Sequence, residues 1–274
     1  MLGESSSALT SAVGEVGAAP RPLRLATYNI HKFVGNDGRR DPARIVKVLR
    51  EIDADILCIQ EFDARSGRGA LLSLEELEQE IGYKAHLQPT RHHAHGGHGN
   101  LILARIDPHT VERHDIGRGA ARAEFEARGL MVADFDVDGM PLRVANTHLA
   151  LWPAARKRQA ARLTQQLVAP QNGMMVLAGD LNEWLPVGCS HTLFHDSWGA
   201  HPNPPTFPAT RPVLGFDRVW VAPRRCLVRL EVHQTPLARM ASDHLPLKAT
   251  LDFAAATVPA PVVQPVWEPE QVAV

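Results

Sequence analysis

The chain has 274 residues, with 29 basic against 30 acidic side chains and a formal charge of −1, so it carries no bulk electrostatic pull toward nucleic acid or anionic lipid. Hydrophobic residues make up 45%, which excludes a disordered chain, and no apolar stretch approaches the ~18–20 residues that cross a bilayer. The three cysteines (Cys58, Cys189, Cys226) are too few and too scattered for a disulfide framework or a zinc site.

Residues 1–21 are rich in Ser, Ala and Gly, and Glu4 and Glu15 break up what a secretory signal would need. A disordered tail on a cytoplasmic protein is the expectation. The body begins with a strand over Leu23–Ile30. Asp41-Pro42 then supplies an N-cap and a first-turn proline, and Ile45, Val48, Leu49 and Ile52 fall on one helical face. The nearly continuous apolar run 55–60 predicts a strand covered on both faces, with Cys58 as a small buried hydrophobe. Ser73 and Glu76 form a capping box ahead of Leu74, Leu77 and Ile81. Leu101–Arg105 is another strand. Asp138-Gly139 between 130–137 and 141–147 is a hairpin signal. A helix over 154–169 stops at Pro170, and strands follow at Met174–Ala178, Arg218–Val221, Leu227–Val232 and Leu247–Phe253. Residues 254–274 show no period and read as a flexible C-terminal tail. The body, 22–253, is of a size one α/β domain fills. Hairpins beside strand–helix alternation predict mixed sheets with helices outside.

The chemistry stands at the strand ends. Asn29 follows Leu25-Ala26-Thr27-Tyr28, Glu61 follows the run ending at Gln60, and His148 follows Val144-Ala145-Asn146-Thr147. Asp180 and Asn182 follow Met175–Gly179, Asp217 opens a strand, and Asp243-His244 precedes the last one. A polar side chain on a buried strand must be paired, because an unpaired one costs several kcal/mol (~2–7). Convergence on one site accounts for all six endings together, and strand ends are where rigid scaffolds place their chemistry. Singly, each has a bland alternative: Asp after a strand is most often a turn former or helix cap, and a lone His is more often structural.

Tyr28-Asn29-Ile30-His31, Gln60-Glu61, Asn146-Thr147-His148-Leu149, Gly179-Asp180-Leu181-Asn182, Phe216-Asp217 and Ser242-Asp243-His244 occur in one order along residues 24–250. This ordered set resembles the endonuclease/exonuclease/phosphatase superfamily, which includes DNase I-like and exonuclease III-like nucleases, neutral sphingomyelinases and inositol polyphosphate phosphatases. It is most similar to small bacterial members. The resemblance implies an α/β (α+β) fold of the DNase I-like type, a four-layer αββα sandwich in which two mixed β-sheets pack face to face with helices outside.

The resemblance also implies roles. Glu61 would be the principal ligand of Mg²⁺ (Mn²⁺ as substitute), assisted by Asn29 and Asp243. Asp180 would orient the attacking water or take its proton, and Asn182 would fix Asp180 and a phosphate oxygen. Asp217 and His244 would form a dyad acting on the scissile phosphate, with His148 on the opposite side. Hard cations with oxygen ligands suit this chemistry, since they neutralise charge on an anionic phosphoryl group, and no Ser or Cys nucleophile is needed.

Other features have two readings each. The stretch 91–99 holds His92, His93, His95 and His98; its glycines and lack of carboxylates favour a mobile active-site loop over a metal site, with Gly99-Asn100 near the site and Asn100 touching substrate. Arg128 is a phosphate ligand or a surface ion pair. Arg156, Lys157, Arg158 and Arg162 guide a polyanion or form a solvated helix face, and Trp184 walls the substrate pocket or packs in the core. The expected function is divalent-metal-dependent hydrolysis of phosphodiester bonds, nuclease-type, with no obligate protein partner. The alternatives are a phosphatase or phosphodiesterase on a phospholipid head group or soluble phosphate ester, and a non-catalytic binding module of the same fold.

Overall fold

The computed structural model describes residues 21–65, 71–93, 96–117, 128–185 and 188–257. The expected tails lie outside the described residues except for Arg21, which pairs with Asp55 at 2.8 Å, and the 3-10 turn Ala254–Thr257. In chain order the strands are β1 (Leu23–Asn29), β2 (Ile56–Arg65), β3 (Lys84–His93), β4 (Gly96–Ala104), β5 (Thr110–Asp115), β6 (Gly129–Val137), β7 (Met140–His148), β8 (Met174–Asp180), β9 (Asp217–Ala222), β10 (Leu227–Val232) and β11 (Leu247–Leu251). The helices are α1 (Pro42–Ile52), α2 (Leu74–Ile81), α3 (Pro153–Gln166), α4 (Cys189–Trp198) and α5 (Pro236–Ala241).

Among the described residues the strands form a six-stranded sheet, β10-β11-β1-β2-β4-β3, and a five-stranded sheet, β5-β6-β7-β8-β9. Each sheet has one parallel pair, β1 with β2 and β7 with β8, and the rest is antiparallel. The period of two along each strand decides which layer a side chain joins. Leu25, Cys58, Ile102, Met131, Val144, Val176 and Val219 meet between the sheets. Their neighbours Ala26, Leu57, Ile59 and Leu101 turn outward onto Ile45, Val48, Leu49 and Ile52 of α1. On the other side Val132, Ala145, Leu177 and Trp220 pack on Ala160 and Leu163 of α3 and Phe194 of α4. The result is the four-layer αββα sandwich. None of the helices among the described residues is long and apolar enough to cross a membrane.

Local signals in the sequence are met by geometry. Asp41 caps α1 by accepting from Arg44 N, and Ser73 and Glu76 make the reciprocal capping box of α2. Asp138 (φ 54°) and Gly139 (φ 82°) form the two-residue turn between β6 and β7, the primed geometry that Asp-Gly favours. Helix α3 ends at Gln166, short of Pro170.

Two readings of the sequence are corrected. Much of 91–99 is strand rather than loop, because β3 and β4 pair across it, Arg91 with His98 and His93 with Gly96. Gly99 is required in that ladder, since a Cβ there would stand 2.0 Å from Gln88 O. Arg156 belongs neither to a polyanion guide nor to a solvated face; it is 2% exposed and ion-paired to Glu183 at 3.2 Å. Arg162 is tied to Ile116 O, leaving Lys157 and Arg158 on the exposed side of α3.

Candidate active site

The parallel pairs end at the same edge of the sandwich and bring their last residues together. Register places His148 of β7 beside Asp180 of β8, and Asp180 beside Asp217 of β9. In the facing sheet Asn29 ends β1 beside Gln60 of β2. A buried polar layer fastens the sheets just below: Gln60 Nε2 donates to Asn146 Oδ1 (2.8 Å), and Asn146 Nδ2 donates to Ile59 O and Leu101 O. Above it Asn29 Nδ2 donates to Asp180 Oδ2 at 2.9 Å, a direct bond between the two walls.

Asn29, Glu61, Arg128, His148, Asp180, Asn182, Asp243 and His244 all line one open cleft. Asp180 is 1% exposed, and its other oxygen accepts from Asn182 N at 3.0 Å. Asn182 Nδ2 is shared between Leu149 O (2.9 Å) and His148 Nε2 (3.1 Å), which leaves the Nδ1 edge of His148 toward Glu61, 4.0 Å away. Behind the cleft, fully buried Asp217 accepts from His244 Nδ1 at 2.9 Å and from Thr206 Oγ1 at 2.5 Å. His244 Nε2 points forward, 3.8 Å from Asp180 Oδ2. Ser242 holds the preceding loop by donating to Asn29 O.

The protonation states follow from these surroundings. Burial alone would lower the His244 pKa, but the carboxylates of Asp217 and Asp180 outweigh it and raise it to about 10. Burial raises Asp180 to about 6 against the pull of His244. Burial, with the charges of Arg128 and His244, holds His148 neutral, well below its ordinary value. Burial would raise Glu61, yet the ammonium of Lys32 at 2.9 Å overrides it and holds that carboxylate below its usual range.

Backbone strain gathers here. Of the eight described non-glycine residues with left-handed φ, five gather at this edge, His31 (44°), Lys32 (52°), Phe33 (66°), Glu61 (57°) and Asn182 (50°); Asp53, Asp138 and Asn172 lie elsewhere. Such conformations cost of order ~1–3 kcal/mol each and persist only where packing over-determines them. Glu61 lies where the β2–β4 ladder slips register between Ile59 and Phe62, a bulge that re-aims its side chain. Gly179 lets β8 approach β7 just before Asp180, since a Cβ there would stand 1.9 Å from Thr147 O.

The remaining expected residues are placed less directly. Asn100 is buried in an adjoining recess with Glu61, His98, Arg128 and His148, where it donates to Gly129 O. Trp184 is 41% exposed and reaches the cleft one ring removed, edge-on to the cleft-lining Phe216 at 5.7 Å. Lys32, His31, Leu151, Phe207 and Phe216, to which sequence reasoning assigns no role, line the cleft as well. His31 belongs to the Tyr28–His31 motif, a signal that could have found it, and Lys32 follows it directly. Phe207, 4.9 Å from the His244 ring, carries no such signal.

The donors are suited to a hard divalent cation. Glu61, Asn29 and Asp243, all with oxygen-bearing side chains, line one cleft, and the Lys32 ammonium stands as a cation against Glu61. Asp180, Asp217 and His244 also bring ligand atoms within 4.8 Å of one another. There, however, Asp217 and His244 are bonded to each other.

Comparison with known proteins agrees with this architecture. The model of the Endonuclease/Exonuclease/phosphatase family matches residues 26–244. The endonuclease/exonuclease/phosphatase from Beutenbergia cavernae has a similar structure, with TM-score 0.69 and 22% identity over 85% of this chain and 72% of that one. The human Nocturnin catalytic domain, with a bound sulfate anion, is similar at TM-score 0.61 and 19% identity, covering 84% of this chain and 94% of that one. For a mannosyl-6-phosphatase of Bacteroides thetaiotaomicron the values are 0.60 and 18%, over 83% and 98%. At such identities the structures speak for the fold. No curated protein sequence matches the chain. The family match spans the strands that carry the cleft, and the chain belongs to the endonuclease/exonuclease/phosphatase family, whose members hydrolyse phosphate esters.

Proposed function

We propose that the protein is a divalent-cation-dependent phosphodiester hydrolase of nuclease type. The observation that carries this reading is Asp180, a carboxylate bonded by Asn29 and Asn182 N and set between two imidazoles in the same cleft as Glu61. A base held at two points beside a protonated histidine fits in-line attack by water on an anionic phosphorus.

Asp180 takes the proton of the attacking water once ionised. His244, kept protonated by Asp217, donates through Nε2 to a non-bridging phosphate oxygen. Asn182 holds Asp180 through its backbone N–H and keeps His148 in one orientation beside the leaving oxygen. Arg128 lines the cleft and offers its guanidinium to the phosphate, and Asn100 shapes the recess next to it. Glu61, with Asn29 and Asp243, would hold Mg²⁺ or Mn²⁺, which polarises the phosphoryl group and neutralises charge on it.

The test uses purified full-length protein on plasmid, single-stranded DNA, RNA and a panel of small phosphate esters. Turnover is expected on nucleic acid, abolished by EDTA and restored by Mg²⁺ or Mn²⁺. Ester hydrolysis with untouched nucleic acid would reject the nuclease assignment in favour of a phosphatase. That second reading is favoured by Arg128 and Lys32 lining the same cleft, which suits a terminal phosphate dianion. Full turnover in chelator would reject the metal role. A non-catalytic module would bind ligand but turn over none of these substrates.

A further inference from the structure

We propose that Lys32 is a built-in counter-cation: its ammonium occupies the cation-facing side of Glu61 and must leave that carboxylate when a divalent ion binds. The inference rests on the proposed metal role of Glu61 and adds a residue that competes for the same ligand.

Lys32 Nζ lies 2.9 Å from Glu61 Oε2, and both side chains line the cleft that also holds Asp180 and Asp243. A carboxylate oxygen that meets a divalent ion cannot keep an ammonium at hydrogen-bond distance without bringing two cations into direct repulsion. Lys32 is also built to let go. Its backbone is fixed: His31 N donates to Asn29 Oδ1, Val34 N donates to His31 O, and Phe33 is buried edge-on against Phe62. Its side chain is a flexible four-carbon stem, 35% exposed, for which the one recorded ion pair among the described residues is Glu61.

The left-handed run His31, Lys32, Phe33 is what aims the stem at Glu61. A chain leaving β1 in ordinary right-handed or extended geometry would carry residue 32 along a different path. The arrangement gives the metal-free cleft a positive charge among Glu61, Asp180 and Asp243, so those carboxylates can stay close before any ion arrives. The consequence is a weaker, exchangeable hold on the ion.

The experiment is calorimetric titration of metal-stripped full-length protein with Mn²⁺ in the absence of substrate, for wild type, Lys32→Met, Lys32→Arg and Glu61→Gln. Lys32→Met removes the charge and keeps the stem; Mn²⁺ should bind roughly five- to tenfold tighter, the effect of one charge within ~4–6 Å at a half-exposed site. Lys32→Arg should stay near wild type. The rise in melting temperature on adding Mn²⁺ should be larger for Lys32→Met than for wild type, because a tighter ligand stabilises more at equal concentration. Unchanged or weaker binding in Lys32→Met, with binding lost in Glu61→Gln, overturns this inference alone. A wild-type protein that binds no Mn²⁺, or a Glu61→Gln variant that binds it normally, overturns the assignment of Glu61 as metal ligand and this inference with it.

Discussion

The two walls of the cleft are built on opposite principles. The five-stranded sheet contributes His148, Asp180, Asn182 and Asp217, each 6% exposed or less and each bonded to another of them or to its immediate support. The six-stranded sheet contributes Asn29 and Glu61, with Lys32 on the adjoining turn, and here Glu61 and Lys32 are 19% and 35% exposed and tied by a single ion pair. One wall is rigid and dry, as proton transfer between fixed atoms requires. The other carries four of the five left-handed residues at this edge and is open at its tips, as the proposed exchange of a hydrated ion would require. On the proposed function, the same cleft would divide orientation from exchange along the line between the sheets.

The sharpest way to break this division is at Asp180. Asp180→Asn keeps the shape and removes the base, though its one oxygen can accept from only one of Asn29 Nδ2 and Asn182 N; kcat should fall by roughly 10³- to 10⁴-fold. A loss below tenfold would move the base elsewhere. The next effect is at the dyad. His244→Ala should cost roughly 10²-fold or more in kcat, and Asp217→Asn should leave a weaker enzyme with a shifted pH profile. The folded His244 has its pKa raised from 6.5 to about 10, so its contribution to stability is full below 6.5 and lost as pH rises through about 10, whereas its charge toward a phosphate is kept until pH approaches about 10. Without the Asp217 charge, burial pulls the histidine down, and the alkaline limb of the rate profile should move toward neutrality. A limb that stays near pH 10 in Asp217→Asn would show that Asp217 does not set it.

The support behind the rigid wall gives a third test, read in stability rather than rate. Arg156 reaches Glu183 and also donates to Ala150 O and Leu151 O, so it joins α3 to the segments that follow both His148 and Asn182. Arg156→Met leaves a carboxylate that is 2% exposed without its counter-charge, and urea unfolding should show a loss of about 3–5 kcal/mol. The double variant Arg156→Met/Glu183→Gln should recover much of it, because the penalty lies in the orphaned charge. A single variant as stable as wild type would mean the wall does not depend on this pair.

What the sequence disclosed follows the same division. The rigid wall was legible because its residues terminate apolar strands in motifs: Asn146–Leu149, Gly179–Asn182 and Phe216-Asp217 each announce a buried polar ending. Asn29 and Glu61 were legible for the same reason. Lys32 was not, because nothing in a lysine beside a histidine says that the backbone there turns left-handed. Arg156 was misread because helical periodicity reports which face a residue occupies only when its partners are known, and its partner Glu183 lies 27 positions away. The strands β3 and β5 escaped notice since their polar sequences lack a clear apolar alternation; β3 is held by pairing with β4 and β5 by pairing with β6. Mixed sheets with helices outside were legible from hairpins beside strand–helix alternation, and the αββα layering from the family resemblance; the structure accounts for it by inward and outward faces that alternate in the central strands.

The smallest expected effect lies on the rim, at Trp184. Its ring is 41% exposed, meets Phe216 edge-on, and has the Arg156 guanidinium 5.6 Å from its centre. With Arg156 near the ring on the protein side, the exposed part is left for a partner, and a flat apolar surface beside a phosphate site suits a stacked base. Stacking on an aromatic is worth ~1–3 kcal/mol per base, and at the low end of that range Trp184→Ala should raise KM about fivefold on single-stranded oligonucleotide with kcat unchanged. On a small phosphate ester, which has no base to stack, the same variant should behave as wild type. If KM on the ester rises equally, Trp184 acts through Phe216 and the packing around His244, and belongs with the rigid wall. If neither substrate notices the change, the rim is outside the binding path and substrate choice is made by Arg128 and the recess around Asn100.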